Sequence, residues 1–190
     1  MPVSHTTRES LLLRLRAGEP VAWDDFAARY RPLIAWFARR AGLTGADVED
    51  VCQEVLLDLF RGQPSFRYDR GRGRFRDYLF VITRRKTRGV LARRSRSGVP
   101  VEDVDEPAAD DPQRELWEAE WRRWVLREAL EAVRGEVEPA TFRAFEAFEL
   151  EGQSVERVAA ELGIAPASVY VYKKRVLARL RVAVEGLTES

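Results

Sequence analysis

The chain has 190 residues, of which 45% are hydrophobic and 33% charged, and its 32 Lys and Arg side chains nearly balance 31 Asp and Glu. This composition suits one domain or two small ones and is too apolar for a wholly disordered chain. Cys52 and His5 are the only cysteine and histidine, which excludes an internal disulfide and argues against a His/Cys zinc site or a Ser/His/Asp triad. With no signal peptide or long apolar run, we expect a cytoplasmic protein with no membrane contact.

The net charge of +1 conceals an uneven distribution of charge along the chain. Residues 61–96 carry 13 basic and two acidic side chains, residues 101–120 carry nine acids and one base, and residues 170–181 carry five bases and no acid. Arginine supplies 29 of the 32 basic residues, and its planar guanidinium group suits phosphate. A GC-rich genome explains an excess of arginine, but it does not explain the clustering. The distribution predicts two basic faces separated by an acidic segment.

In the first half of the chain, apolar residues recur at three- and four-residue steps and predict amphipathic helices. One spans about 21–41, where Pro32 should kink or divide it, a second is capped by Thr44, and a third spans about 75–95. Residues 62–73 contain three glycines and one proline and therefore predict a loop.

Residues 97–112 contain three prolines, six acids and no base, which predicts a flexible acidic linker. Further helices are predicted at 113–134, 140–150, 154–162 and 166–184. No segment alternates with period two, so no sheet is expected. The sequence predicts an all-α fold in which two small helical domains, residues 1–96 and 113–190, are joined by the linker.

Residues 154–180 form the strongest local motif. Ser154 caps a short helix, Gly163 supplies a turn, and Pro166 begins the next helix. This pattern is typical of a helix-turn-helix, whose second helix can enter the major groove, although a plain helical hairpin is the alternative. Basic side chains after the turn favour DNA. The residues available for contact are Ser168, Tyr170, Val171, Lys174 and Arg175.

The basic segment before the linker combines arginines with aromatic residues. Its arginines can follow phosphates, and the candidates are Arg84, Arg85, Arg88 and Arg93. Exposed aromatic rings can stack on unpaired bases, and the candidates are Phe66, Tyr68, Phe75 and Tyr78. The alternative is that all four rings belong to the core beneath a solvated basic helix.

An acidic helical face is the third feature. Asp47, Asp50, Glu54 and Asp58 recur at three- and four-residue steps beside Gln53, opposite an apolar stripe that runs from Val48 to Phe60. Such a face can be merely solvated, can dock a basic partner, or can bind a metal. Because no histidine or second carboxylate cluster supports a metal, we expect neither a metal nor a cofactor.

The order of these motifs resembles the small two-region sigma factors of the extracytoplasmic-function group of bacteria. The resemblance covers about residues 10–187 and is strongest in DVEDVCQEV at 47–55, GRFRDYL at 73–79 and the helix-turn-helix. It implies that Asp47, Asp50, Gln53 and Glu54 dock on the clamp of RNA polymerase core. It also implies that Phe66, Arg67 and residues 73–79 belong to the segment that meets the minus-ten promoter element as it opens, and that the helix-turn-helix reads the minus-thirty-five element.

The chain departs from this family's pattern at several positions. Tyr78 stands where the family usually has Trp, while Arg85 and Gly89 replace Asn and Asp. Tyr172 and Lys173 occupy positions that are usually basic and apolar, respectively. These departures imply that the promoter sequence is unusual.

The prediction is a monomeric, non-enzymatic sigma factor whose partners are polymerase core, promoter DNA and, as is common in the family, an anti-sigma factor. A stand-alone helix-turn-helix regulator is the alternative, and its dimer interface would be an exposed face of Trp117, Trp121 and Trp124. A nuclease or recombinase that uses Asp carboxylates is the third hypothesis, and metal-dependent cleavage would be its signature.

Overall fold

A computed structural model describes residues 20–61, 75–94 and 111–188 of the chain. These residues form helices and no strand, which confirms the predicted all-α fold. The helices are α1 (Pro20–Arg40), α2 (Ala46–Arg61), α3 (Phe75–Arg94), α4 (Pro112–Glu136), α5 (Pro139–Phe145), α6 (Val155–Leu162) and α7 (Pro166–Thr188), with a π-helical turn at Glu146–Leu150. α1 continues through Pro32 as one helix, so the predicted division does not occur. No helix in these ranges has both the length and the apolar character that crossing a bilayer requires.

The helices belong to two compact units, and the division between them lies inside α4, between Trp124 and Val125. The first unit contains α1, α2, α3 and the part of α4 up to Trp124. The second unit contains the rest of α4 with α5, α6 and α7. The composition of the linker predicted a boundary before α4, whereas the contacts place the division within this helix.

The core of the first unit is a cluster of aromatic rings. Tyr30 is fully buried, and its ring centroid lies 5.0 Å from that of Trp124 and 5.4 Å from that of Phe75. The indole Nε1 of Trp124 donates a hydrogen bond to the backbone oxygen of Arg29 at 3.0 Å. Stacked and edge-to-face pairs of this kind contribute about 0.5–1.5 kcal/mol each beyond the area that they bury.

The three tryptophans of α4 supply one side of this core. Trp117, Trp121 and Trp124 are 0%, 2% and 1% exposed, and the ring of Trp117 lies 5.8 Å from Phe37 and 5.7 Å from Phe80. Their spacing of four and three residues does place them on one helical face. The expectation that this face is exposed and mediates dimerisation is wrong, because the first unit itself buries it.

The second unit is built around small and branched apolar residues. Ala144, Val158 and Val169 are fully buried, and Phe148 and Tyr172 are among the partly buried residues that pack against them. This core joins α5, α6 and α7, so it determines which face of α7 remains in solvent.

The connection between α6 and α7 is a tight turn. The Ser154 side chain caps α6 by accepting a hydrogen bond from the Arg157 N–H at 3.3 Å. Gly163 ends α6 with φ of 63°, a left-handed conformation that glycine adopts at little cost, and the Ile164 N–H bonds to Ala159 O at 3.0 Å. The chain then enters α7 at Pro166, where the missing N–H has no helical partner to lose.

Candidate functional site

The acidic side of α2 and the basic side of α3 contact each other and form a series of ion pairs, which we call the ion-pair ladder. The ladder consists of Asp58 with Arg85 (2.8 Å) and Lys86 (2.9 Å), Glu54 with Lys86 (3.6 Å) and Arg93 (3.1 Å), and Asp47 with Arg94. Acidic residues closer to the start of α2 pair with basic residues closer to the end of α3, so the two helices run antiparallel. The acidic face therefore has a basic partner within its own unit, and it is neither simply solvated nor wholly free for docking.

The arginines of the ladder are more exposed than the carboxylates that they contact. The Arg93 side chain is 64% exposed and that of Glu54 36%, while Arg85 is 51% and Asp58 24% exposed. Surface ion pairs of this kind contribute at most about 1 kcal/mol, so an incoming phosphate can compete with the carboxylates. Arg88 is exposed and makes no ion pair with any residue that the structure describes.

Two of the predicted docking residues lie outside the ladder, on a second face of α2. Asp50 and Gln53 are exposed, and Leu57 and Phe60 continue the same face at 46% and 53% exposure. We call these four residues the outer stripe. Leu57 was not predicted to lie on this face. The prediction that Phe60 belongs to the apolar stripe with Val48 and Leu59 is wrong, because its ring is half exposed and contacts the ring of Trp23, with centroids 5.0 Å apart.

Arg84 makes intramolecular contacts and does not face solvent. Its side chain is 15% exposed and bonds to the Asp111 carboxylate at 3.1 Å and to Gln113 Oε1 at 3.2 Å. Asp111 also accepts a hydrogen bond from the Gln113 N–H at 2.9 Å, which caps the start of α4. Two turns before Arg84 on α3, Arg76 pairs with Glu118 of α4 at 2.8 Å. These contacts attach α4 to α3, and they remove Arg84 from the phosphate-binding candidates.

The four candidate aromatic residues have different surroundings. Phe75 is 1% exposed and belongs to the core, so the stacking role is wrong for this residue. Tyr78 is 39% exposed, and its partial burial, reinforced by the Asp58 carboxylate, raises the pKa of its hydroxyl. Phe66 and Tyr68 lie outside the described residues.

In the second unit, α7 directs the predicted DNA-contacting residues toward solvent. Tyr170 and Val171 are 57% and 55% exposed, Lys174 and Arg175 are also exposed, and Ser168 is half-buried. The opposite face carries the buried residues Val169, Val176 and Leu180. α7 thus presents one mixed polar, aromatic and basic face outside the core.

The π-helical turn after α5 supports the beginning of α7. The ring of Phe148 contacts that of Tyr170 edge-on at 5.6 Å and lies 5.3 Å from the Lys173 ammonium group. Glu149 from the same turn pairs with Lys173 at 2.7 Å. Lys173 is thereby held on this turn, while Tyr172 supplies apolar contact to the core. Tyr172 and Lys173, the two departures from the sigma-factor pattern that lie on α7, therefore both have structural partners.

Comparison with known proteins places these elements in a family context. Residues 26–97 match the family model of sigma-70 region 2. The chain is 29% identical over 170 residues to RNA polymerase sigma factor CarQ of Myxococcus xanthus, a match that covers 88% of the chain and 92% of CarQ. It is 28% identical over 147 residues to ECF RNA polymerase sigma factor SigE of Mycolicibacterium smegmatis, covering 75% of the chain and 54% of SigE. The region 2 match includes all of α2 and α3, and hence the ion-pair ladder and the outer stripe.

Proposed function

We propose that this chain, a member of the sigma-70 family related to sigma factors of the extracytoplasmic-function group, directs RNA polymerase core to specific promoters and assists in opening them. The observation that carries the proposal is the sigma-70 region 2 match over residues 26–97. RNA synthesis remains the work of the polymerase, so we assign no catalytic residue to this chain.

The outer stripe of α2 is our candidate for docking on polymerase core. It combines a carboxylate and an amide, from Asp50 and Gln53, with the exposed apolar side chains of Leu57 and Phe60. An apolar centre with polar neighbours is the usual composition of a specific protein interface. Glu54 and Asp47 lie beside this surface, and their ion pairs with Arg93 and Arg94 leave them less available for docking.

The exposed arginines of α3 are our candidates for the phosphates around the opening promoter. Arg88 is exposed outside the ladder, and the guanidinium groups of Arg85 and Arg93 are more than half exposed. Each can donate two hydrogen bonds to a phosphate. We keep Phe66 and Tyr68 as candidates for stacking on unpaired bases, on the strength of the family resemblance.

The exposed face of α7 is our candidate for reading the minus-thirty-five element in the major groove. Ser168, Tyr170 and Lys174 would contact base edges, and Arg175 would contact phosphate. The Arg175 guanidinium lies 6.0 Å from the Tyr172 ring centroid, a contact that helps to orient it.

We also propose that the protein acts in the cytoplasm as a monomer that binds polymerase core one to one, with an anti-sigma factor as a further partner. A stand-alone regulator would need a dimer interface, and the surface imagined for it, Trp117, Trp121 and Trp124, is buried. No observation in the structure therefore favours that alternative.

Transcription by polymerase core on fragmented genomic DNA tests the proposed function. Adding the protein should produce start sites that share two upstream elements, whereas core alone should not. Sequence-specific DNA binding by a dimer, with no effect on transcription by core, would contradict the proposal.

A paired substitution tests the docking surface itself. The Asp50→Ala/Leu57→Ala variant should bind polymerase core roughly tenfold more weakly, since the few residues that dominate an interface lie near its centre and each cost more than about 1 kcal/mol when truncated. Asp24→Ala, an exposed carboxylate on α1 of the same unit, is the matched control and should bind normally. Equal affinity of both variants in a titration with labelled core would exclude the outer stripe as the docking site.

A further inference from the structure

The line of α7 that lies farthest from the core combines small apolar side chains with the basic residue Arg175. Val169 is fully buried, and at about 100° per residue Val171 lies about 200° around the helix axis from it. Ala167 and Ala178, both exposed, fall within about 40° of Val171 by the same reckoning. Val182, 69% exposed, lies on the same line but about three turns farther along, so Val171, 55% exposed, is the largest apolar side chain of this line near the start of α7.

The surroundings of Val171 distinguish it from the scattered apolar residues of an ordinary surface. It lies in the first two turns of α7, and no acidic residue occurs between Pro166 and Val184. Lys174 and Arg175 follow it, and its neighbour Tyr170 is held by the ring of Phe148. A recognition helix reaches base edges with its N-terminal residues, so this is the part of α7 that would lie deepest in a groove.

Val171 can form no hydrogen bond with a base through its side chain. The apolar group that bases present in the major groove is the C5 methyl of thymine. The small side chain of Ala167, one turn earlier, leaves room for the backbone of α7 to approach the bases. Contact between Val171 and a thymine methyl would therefore bury apolar surface of both partners.

We propose that Val171 selects an A·T base pair in the upstream promoter element by apolar contact with the thymine methyl group. This inference rests on the proposed function, because it requires α7 in the major groove, and it adds the kind of base pair that one residue recognises.

Replacing thymine with deoxyuridine removes this methyl group and preserves every hydrogen-bonding group of the base. The upstream element is first selected from randomised DNA with polymerase core plus the protein. Copies are then made in which each thymine of the element is replaced singly. We expect one replacement to weaken binding about fourfold, the factor that corresponds to one buried methyl-sized group. In Val171→Ala, the same replacement should have no effect.

Arg175→Ala is the matched control, because Arg175 is exposed on the same face and is the residue assigned to phosphate. It should weaken binding to every fragment and lower the log–log salt slope by roughly 0.9 if it removes one phosphate contact, while the sensitivity to deoxyuridine remains. The folding of Val171→Ala is checked by circular dichroism, and an exposed position should tolerate the change.

Three outcomes would overturn the inference alone: a selected element without thymine, replacements that are all neutral, or a penalty that persists in Val171→Ala. In each case transcription from the selected promoter would still support the proposed function. Failure of polymerase core plus the protein to transcribe from any selected DNA would instead contradict the proposed function, and the inference with it.

Discussion

Glu54 on α2 accepts a hydrogen bond from Arg93 on α3, with 3.1 Å between the carboxylate oxygen Oε1 and the guanidinium nitrogen Nη2. From the sequence, these two residues are predicted to bind different partners, polymerase core and DNA. In the structure they bind each other. A phosphate therefore competes with a carboxylate for Arg93, and the ion-pair ladder reduces the positive charge that α3 offers to DNA.

Asp58 is the strongest position at which to test this masking, because it contacts both Arg85 and Lys86. In Asp58→Asn, both cations lose a carboxylate partner, and the free protein should bind a single-stranded oligonucleotide more tightly. The slope of log affinity against log salt should steepen by roughly 0.7 for each side chain that gains a phosphate. Fluorescence anisotropy over a range of salt concentrations measures both effects.

Asp50→Asn is the matched control for the ladder. It makes the same change in charge on the same helix, but Asp50 is exposed and makes no ion pair with any described residue. We expect a smaller gain in affinity and an unchanged slope. If Asp50→Asn and Asp58→Asn have equal slopes, the ladder does not mask the arginines.

A second prediction concerns the first part of α4 as a core element of the first unit. Trp117→Ala should lower the free energy of unfolding by about 3–5 kcal/mol, because the ring is fully buried against Phe37 and Phe80. Its neighbour Leu116 is 39% exposed, and Leu116→Ala should change stability by no more than about 0.5 kcal/mol. Urea denaturation followed by circular dichroism compares them. Similar losses in both variants would contradict the placement of Trp117 in the core.

The same packing predicts the limits of a stable fragment. A chain that ends at residue 96 lacks all three tryptophans of α4 and leaves the rings of Tyr30 and Phe80 without these neighbours. We expect it to lose cooperative unfolding, whereas a chain that ends at residue 136 should keep it. Cooperative unfolding of the shorter fragment would show that α4 is dispensable to the first unit.

The sequence predicted the helices and their faces well, because periodicity reports directly which residues share a face. It could not report what covers a face. The three tryptophans make one side of α4 apolar, and the sequence shows this. The acidic residues before them indicated a domain boundary, however, and only the packing with Tyr30 shows that the first part of α4 belongs to the first unit. Likewise, the carboxylates of α2 predict a basic partner for this face, but the sequence does not show that Arg93 of the same unit is one of the bases that pair with it. Arg84 and Arg85 are adjacent in sequence, but about 100° of helix rotation directs them to different surroundings.

A third prediction separates two glycines by their backbone conformation. Gly89 lies inside α3, and an added Cβ would meet no atom within 4 Å, so Gly89→Ala should stabilise the protein by about 0.5–1 kcal/mol. Gly163 has equal room but a φ of 63°, so Gly163→Ala should destabilise it by about 1–2 kcal/mol. Thermal midpoints should therefore move in opposite directions, and a lower midpoint for Gly89→Ala would contradict the helical role assigned to that position.

The last prediction uses Cys52, which is the only cysteine and is fully buried in the first unit. Burial raises the pKa of its thiol, against a smaller opposing effect of Arg31 and Arg39. The raised pKa means that the unfolded thiol ionises first. The stability contributed by the neutral thiol is therefore fully present below the unfolded pKa, about 8.5, and is lost as the pH rises through the folded pKa.

Two measurements follow from this placement of Cys52. The urea midpoint should fall above about pH 8.5 more steeply in the parent protein than in Cys52→Ala, which has no thiol to ionise. At pH 7, a thiol reagent should react slowly with the native protein and much faster with Trp117→Ala, because access to Cys52 requires the first unit to open. Rapid, complete labelling of the parent protein without denaturant would contradict the burial of Cys52, and with it the packing of α2 in the first unit.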